Sequence, residues 1–184
     1  MRKEIRIAGL GGQGVVLLGF IIAQAASIYD RKNATLIQDY GPEARGGACR
    51  AEVVISEEAV LYPYVVDPSI LVLMSQEAYR KYGTKLGPGV KMLIDKDLVP
   101  LGAGTDSVYA IPATRFAQEL GGTMVANVVM LGFFAATTEV VSVEALKKSL
   151  LASVPKGSED LNIHAFERGY SHGRELLKGH RELI

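Results

Sequence analysis

The sequence predicts an α/β fold: a three-layer α/β/α sandwich around a mixed, mainly parallel sheet, in a single domain spanning residues 1–184. Three observations lead there. The chain is 48% hydrophobic and 22% charged, enough apolar residue to fill one core and enough charge to keep its surface wet. Short β-branched runs alternate with longer apolar or amphipathic stretches, the pattern of strands interleaved with helices. One run, Ile70 to Met74 (ILVLM), is apolar throughout, as a strand covered on both faces must be.

The elements follow in order. Ile5 to Leu10 alternates and then turns apolar, as a strand entering a buried sheet does. The glycines after it make a turn, and the Ala-rich stretch from Val15 to Tyr29 reads as a buried helix ending at Asp30-Arg31-Lys32-Asn33. Thr35 to Asp39 is a second strand. "YGPEARGGAC", Tyr40 to Cys49, carries three glycines, a proline and opposite charges, so it is a loop. Glu52 to Ser56 is a third strand and Glu57-Glu58 a turn. After the Ile70–Met74 strand, Gln76 to Tyr82 is a short helix, and Leu86-Gly87-Pro88-Gly89 turns into a strand over Val90 to Ile94. Val108 to Ile111 is a short strand, followed by a helix that Pro112 opens and Leu120 ends. Asn127 to Thr137 is a buried helix. Ser142 caps the next, with Glu144 in its first turn. Asn162 to Lys178 is a final amphipathic helix. The sequence shows no repeat, low-complexity segment or linker.

Formal net charge is zero, which argues against a general nucleic-acid surface but leaves room for a local anion site. The single cysteine, Cys49, permits neither an internal disulfide nor an iron–sulfur cluster, which needs several thiolates. A cytoplasmic setting is expected. The amino terminus imitates a secretory leader, since Arg2 and Lys3 precede an apolar stretch and Ala23-Gln24-Ala25 resembles a cleavage site. Glu4, Arg6 and the glycine cluster interrupt it, and Val15 to Ala26 is too short to span a bilayer. No membrane association is expected.

Gly9-x-Gly11-x-x-Gly14 has the spacing of a dinucleotide-binding turn. Glycines let a backbone approach phosphate closely, and the following helix offers unpaired N–H groups and a positive dipole end. Asp39, at the end of the second strand, stands where a ribose-binding acid is wanted. Against NAD, Gln13 is an unusual polar residue for such a turn. No crossover helix follows Asp39 either: a loop leads at once to the next strand. A tight strand–helix turn with no ligand is the plain alternative.

Five segments in order resemble a known family: "GLGGQGV" after the first strand, "YGPEARGGAC" after the second, "SQEAYRKYG" after the buried strand, "IPAT" before a helix and "NVVMLG" within one. Together they look like the gamma subunit of 2-oxoacid:ferredoxin oxidoreductases, over Ile5 to about Tyr170. Tyr40 to Gly47 most resembles gamma subunits of the 2-oxoglutarate enzymes. Pyruvate, branched-chain 2-oxoacid and indolepyruvate relatives are the alternatives, with a free-standing nucleotide-binding Rossmann-like enzyme beyond them. Two positions depart from similar sequences, Val54 where Arg is frequent and Ser75 where Asn is.

The resemblance implies a complex that oxidatively decarboxylates a 2-oxoacid with coenzyme A, giving acyl-CoA, carbon dioxide and reduced ferredoxin. It implies thiamine diphosphate between alpha and beta subunits and iron–sulfur clusters in beta and delta subunits, none of them in this chain. The chain alone is then expected to be inactive. Gly11, Gly12, Gln13 and Gly14 suit the diphosphate of coenzyme A. Arg45, Gly46 and Gly47, after the neighbouring strand, are expected at the same sheet edge, with Arg45 gripping phosphate, pairing with Glu43 or facing a partner subunit. No catalytic residue and no metal ligand is expected. Asn127 is expected to bond a nearby loop, Cys49 to be small and buried, and Tyr62-Pro63-Tyr64 to form an exposed or packing loop. His164, His172 and His180 fall eight apart, a spacing that suits a solvated or partner-facing helix surface better than a metal site.

Overall fold

A computed structural model describes residues 2–41, 47–84, 87–100 and 108–181. Six strands form one sheet: β1 (Lys3–Leu10), β2 (Asn33–Tyr40), β3 (Ala48–Ser56), β4 (Ile70–Leu73), β5 (Lys91–Asp95) and β6 (Val108–Ile111), in the order β2-β3-β1-β4-β5-β6. β1, β4, β5 and β6 are mutually parallel. β3 runs antiparallel to both β1 and β2, so one reversed strand makes the sheet mixed. The expected fold class is the one observed.

Alternation along the strands divides the core. Ile5, Ile7, Val53, Ile55, Val72 and Leu93 face one side. There they meet α1 (Val15–Gln24, extended by a π-helical turn Ala25–Tyr29), α3 (Ala113–Glu119), α4 (Ala126–Thr138), α5 (Val143–Ser153) and α6 (Glu159–Arg181). Ala8, Leu71, Leu73, Met92 and Ile94 face the other side. Its cover is thinner: α2 (Gln76–Ala78), the π-helical turn Tyr79–Gly83, and Val99. All four residues of β4 are buried, as its unbroken apolar run requires.

Residues 126–137 of α4 are all buried. The helix sits between the sheet and α6, so it has no polar face to offer water. A Cβ at Gly132 would run into the carbonyl of Phe166, and one at Gly169 into the carbonyl of Val129. The two helices therefore touch backbone to backbone, and Phe133, Phe134 and Phe166 fill the space beside the crossing with no exposure. Each contributes about 1.5–3 kcal/mol by burial.

Candidate functional site

The site is at the edge of the sheet where β1 and β2 end and β3 begins. The β1–β3 ladder runs to Leu10 opposite Ala48 and continues one step further, where the Gly11 N–H donates to the Gly47 carbonyl at 2.8 Å. Gly47, which ends the second glycine segment, thus lies beside the first loop. Of the proposed site residues, Gly11, Gly12, Gln13, Gly14 and Gly47 are brought together there; Arg45 and Gly46 lie outside the described residues.

Side chains set the shape of the first loop. Gln13 Oε1 accepts from the Leu10 N–H at 2.7 Å, and its Nε2 donates to the Met74 carbonyl, also at 2.7 Å. The amide therefore staples the loop to the end of β4. Sequence gave no signal of this, because the partner is 61 residues away. Its backbone N–H also donates, to the Leu10 carbonyl at 3.2 Å, so Gln13 holds the turn rather than offering a donor to a ligand. Gly9 must lack a side chain, since a Cβ would come within 2.5 Å of Gln13 Oε1. Gly14 has φ 72°, and its Cβ would strike the Asn127 amide. Gly12 has φ 93° with nothing within 4 Å of a Cβ, so its outer face is open.

Gly14 caps α1 with no side-chain hydrogen bond. The first-turn amides of α1 keep their donor capacity, the arrangement that binds anions at helix starts. Asn127 Nδ2 donates to the Gly14 carbonyl at 3.4 Å, the expected bond to a nearby loop. Its Oδ1 is buried without a partner among the described residues.

Beside the loops, over the thinly covered face, opens a cavity of about 450 Å³. Gly9, Gly41 and Cys49 floor it next to the loops, and Arg50, Arg80, Lys81 and Tyr82 line its sides with Asp39 and Glu77. Arg50 bonds Asp39 at 3.1 Å, lies 3.7 Å from Glu52 and reaches the Tyr82 hydroxyl at 3.5 Å. Glu52 is 4% exposed and also takes a 2.7 Å bond from Arg6. Arg6, Glu52, Arg50 and Asp39 thus form a charge row across three strands. Burial pushes the Cys49 thiol up, against the lowering pull of the Arg50 amide and with a further rise from Asp39. It is a packing residue with little thiolate character.

Ser75, one of the two departures noted above, accepts from the Ala78 N–H at 3.1 Å and so caps α2, a role its Asn counterpart also suits. Val54, the other, is fully buried. His172 corrects the expectation of a solvated surface: it packs edge-on to Phe116, centroids 5.4 Å apart, and beside Phe133. Desolvation there lowers its pKa, offset in part by the Ala110 backbone. Among the described residues no cluster of His, Cys, Asp or Glu suits a metal ion, and no helix is long and apolar enough to cross a membrane.

A family described as pyruvate ferredoxin/flavodoxin oxidoreductase matches residues 4–172. The chain belongs to this family. Within the oxidoreductase family it is similar to the 2-oxoglutarate synthase subunit KorC of Methanocaldococcus jannaschii, 48% identical over 180 residues covering 96% of each chain. Among solved structures it resembles the keto/oxoacid ferredoxin oxidoreductase gamma subunit of Geobacter sulfurreducens PCA, with a TM-score of 0.82, 43% identity, and coverage of 93% of this chain and 98% of that one. The 2-oxoglutarate:ferredoxin oxidoreductase of Magnetococcus marinus, solved with 2-oxoglutarate, coenzyme A and succinyl-CoA bound, shares the fold. Its TM-score is 0.80 at 23% identity, over 95% of this chain and 31% of that one.

Proposed function

We propose that residues 1–184 form the gamma subunit of a cytoplasmic 2-oxoglutarate:ferredoxin oxidoreductase, and that this subunit holds the ADP end of coenzyme A at its paired glycine loops while docking its partners. The observation that carries the reading is the Gly11–Gly47 hydrogen bond, which puts Gly47 beside the first glycine loop at a start of α1 that no side chain caps. Diphosphate suits such a place: it needs close backbone approach and N–H donors, and the first-turn amides of α1 supply the donors, those of Gly11 and Gln13 being taken up within the fold. The open face of Gly12 is the point of approach, and Arg45 adds a bidentate cation. Likeness to the Magnetococcus enzyme is one of fold, so the coenzyme A assignment rests on these loops and on the family.

The remaining chemistry belongs to the partners. Thiamine diphosphate, held by the alpha and beta subunits, would supply the carbanion chemistry, and iron–sulfur clusters of the beta and delta subunits would supply the electron path to ferredoxin. A docking role draws on the loop between β3 and β4. Arg2 donates to the Tyr62 and Tyr64 carbonyls, and Glu4 accepts from the Val66 and Asp67 amides at 2.7 and 2.9 Å. The loop is thereby fixed with Leu61, Tyr62, Tyr64 and Val66 exposed. Apolar side chains displayed together on a braced loop suit a subunit contact.

The test is Gly12→Asp with Arg45→Ala in the assembled enzyme. Asp tolerates positive φ better than most residues, and the space beside Gly12 is open, so the fold is retained while a charge meets the phosphate. The Michaelis constant for coenzyme A is expected to rise with assembly intact. An unchanged constant refutes the coenzyme A reading; loss of assembly assigns the loops to docking instead.

A further inference from the structure

The cavity beside the loops carries cations that the fold does not use. Arg50 is committed to Asp39, with Glu52 near it. Arg80 and Lys81 form no ion pair among the described residues, although both line the cavity. Glu77, the remaining acid of the lining, is exposed and carries no ion pair either. They stand on the π-helical turn Tyr79–Gly83, whose wide geometry lays Tyr82 over the sheet; the Arg6 guanidinium lies 5.2 Å from its ring centre, and Lys81 Nζ lies equally close. π-Turns of this kind recur at functional sites. Arg50 lines the cavity too and is bonded to the Tyr82 hydroxyl of that turn. The cavity is therefore lined by one braced cation, Arg50, and by two more that form no ion pair among the described residues.

Its volume, about 450 Å³, is in the range of small-molecule sites and has room for a phosphorylated nucleoside. Its floor includes Gly9 and Gly41, so it opens directly onto the glycine loops. The loops offer backbone amides, which suit the spread charge of a diphosphate. The cavity offers side-chain cations, which suit a compact dianion.

We propose that this cavity binds a phosphomonoester, the 3′-phosphate on the ribose of coenzyme A, with Arg80 and Lys81 as the residues that recognise it and Arg50 and Tyr82 as the wall that places it. The proposal rests on the reading of the glycine loops as the coenzyme A site and adds a specificity determinant to it. It assigns this subunit the task of distinguishing coenzyme A from dephospho-coenzyme A, which lacks only that group.

The experiment measures kcat and KM for both compounds in the assembled enzyme, for wild type, for Arg80→Gln with Lys81→Gln, and for Gly12→Asp. Arg80 and Lys81 are exposed, and a melting curve of each assembled variant verifies folding. Wild type is expected to show a KM for dephospho-coenzyme A on the order of tenfold or more above that for coenzyme A, the equivalent of one charged contact. The double variant is expected to raise KM for coenzyme A towards that of the dephospho compound, whose own KM stays within about twofold, with kcat nearly unchanged for both. A wild type that does not discriminate overturns the proposal. So does a double variant that raises both constants in parallel, or neither, while Gly12→Asp still raises both; the loop reading then stands alone. If Gly12→Asp leaves both constants unchanged, the loop reading falls and this proposal falls with it.

Discussion

Replacing Gln13 tests whether the glycine turn is held by a side chain or by the glycines alone. In Gln13→Ala the Leu10 N–H and the Met74 carbonyl lose partners that now sit at 2.7 Å. Leaving a buried donor or acceptor unmet costs about 1–3 kcal/mol. The turn is at a sheet edge where water can replace part of the loss, so roughly 2–4 kcal/mol is expected for the two groups together. For a chain of this length that is a fall in Tm of roughly 4–16 °C, read by thermal denaturation of the full chain. Gln13→Glu separates the two bonds. Its carboxylate still accepts from Leu10 but meets the Met74 carbonyl oxygen with no proton to donate. The ionised form is disfavoured in the folded state, so the new carboxyl's pKa lies above its unfolded value. The variant is then relatively more stable below the unfolded carboxylate pKa and loses that advantage as pH rises through the folded one. A Gln13→Ala chain within about 0.5 kcal/mol of wild type refutes the staple and returns the loop to glycine geometry alone.

Two further outcomes follow from the packing. His172 has a folded pKa below its ordinary value of 6.5 because Phe116 and Phe133 desolvate it. Its contribution to stability is therefore complete above the unfolded value and lost as pH falls from there through the folded one. Urea titrations of wild type and His172→Gln between pH 7 and 5 are expected to converge as pH drops, and parallel curves contradict the assignment. Gly169→Ala drives a methyl into the Val129 carbonyl on α4. Because the clash is with backbone that cannot turn aside, the cost is expected to exceed about 3 kcal/mol, above the usual overpacking range, whereas Gly157→Ala, with φ 90° and open space, is expected to cost about 1–2 kcal/mol from backbone strain alone. Equal melting temperatures for the two variants would refute close α4–α6 contact as the reason for Gly169.

What could be read from the sequence follows from how local its causes are. Val108–Ile111, the Ser142 cap and the buried α4 were legible because alternation, capping chemistry and apolar runs act within a few residues. β3 begins at Ala48, four residues before the expected start. Its first residues alternate between the core and a solvent-filled cavity, and Arg50 on the open side hides the pattern. α1 gives way to a π-helical turn at Ala25, which no periodicity of the Ala-rich stretch signals. The placing of Gly47 beside Gly11 was legible only as far as both loops being expected at one sheet edge; it is β3, the strand the second loop enters, that pairs with β1. The cavity was not: Arg50, Arg80 and Tyr82 meet only because β3 pairs with β1 and the turn after β4 folds back over that pair.

The same strand order explains why a turn with dinucleotide spacing does not make this chain a dinucleotide enzyme. In a mononucleotide-binding half, the strand that ends in the ribose-binding acid lies next to the strand that leads into the glycine turn. Here the reversed β3 is inserted between them. Asp39 is moved to two strand spacings from β1, about 9–10 Å, and its carboxylate is held by Arg50 at 3.1 Å. An acid so placed and so neutralised is a poor acceptor for a ribose hydroxyl, while the start of α1 is untouched. The hairpin therefore removes the feature that selects NAD and leaves in place the helix start proposed above as the phosphate site. Calorimetric titration of the full chain with NAD is expected to show no micromolar binding, and Asp39→Asn is expected not to alter that result. Micromolar binding that Asp39→Asn abolishes would show that the inserted strand leaves the ribose site intact, and the argument from strand order would be wrong.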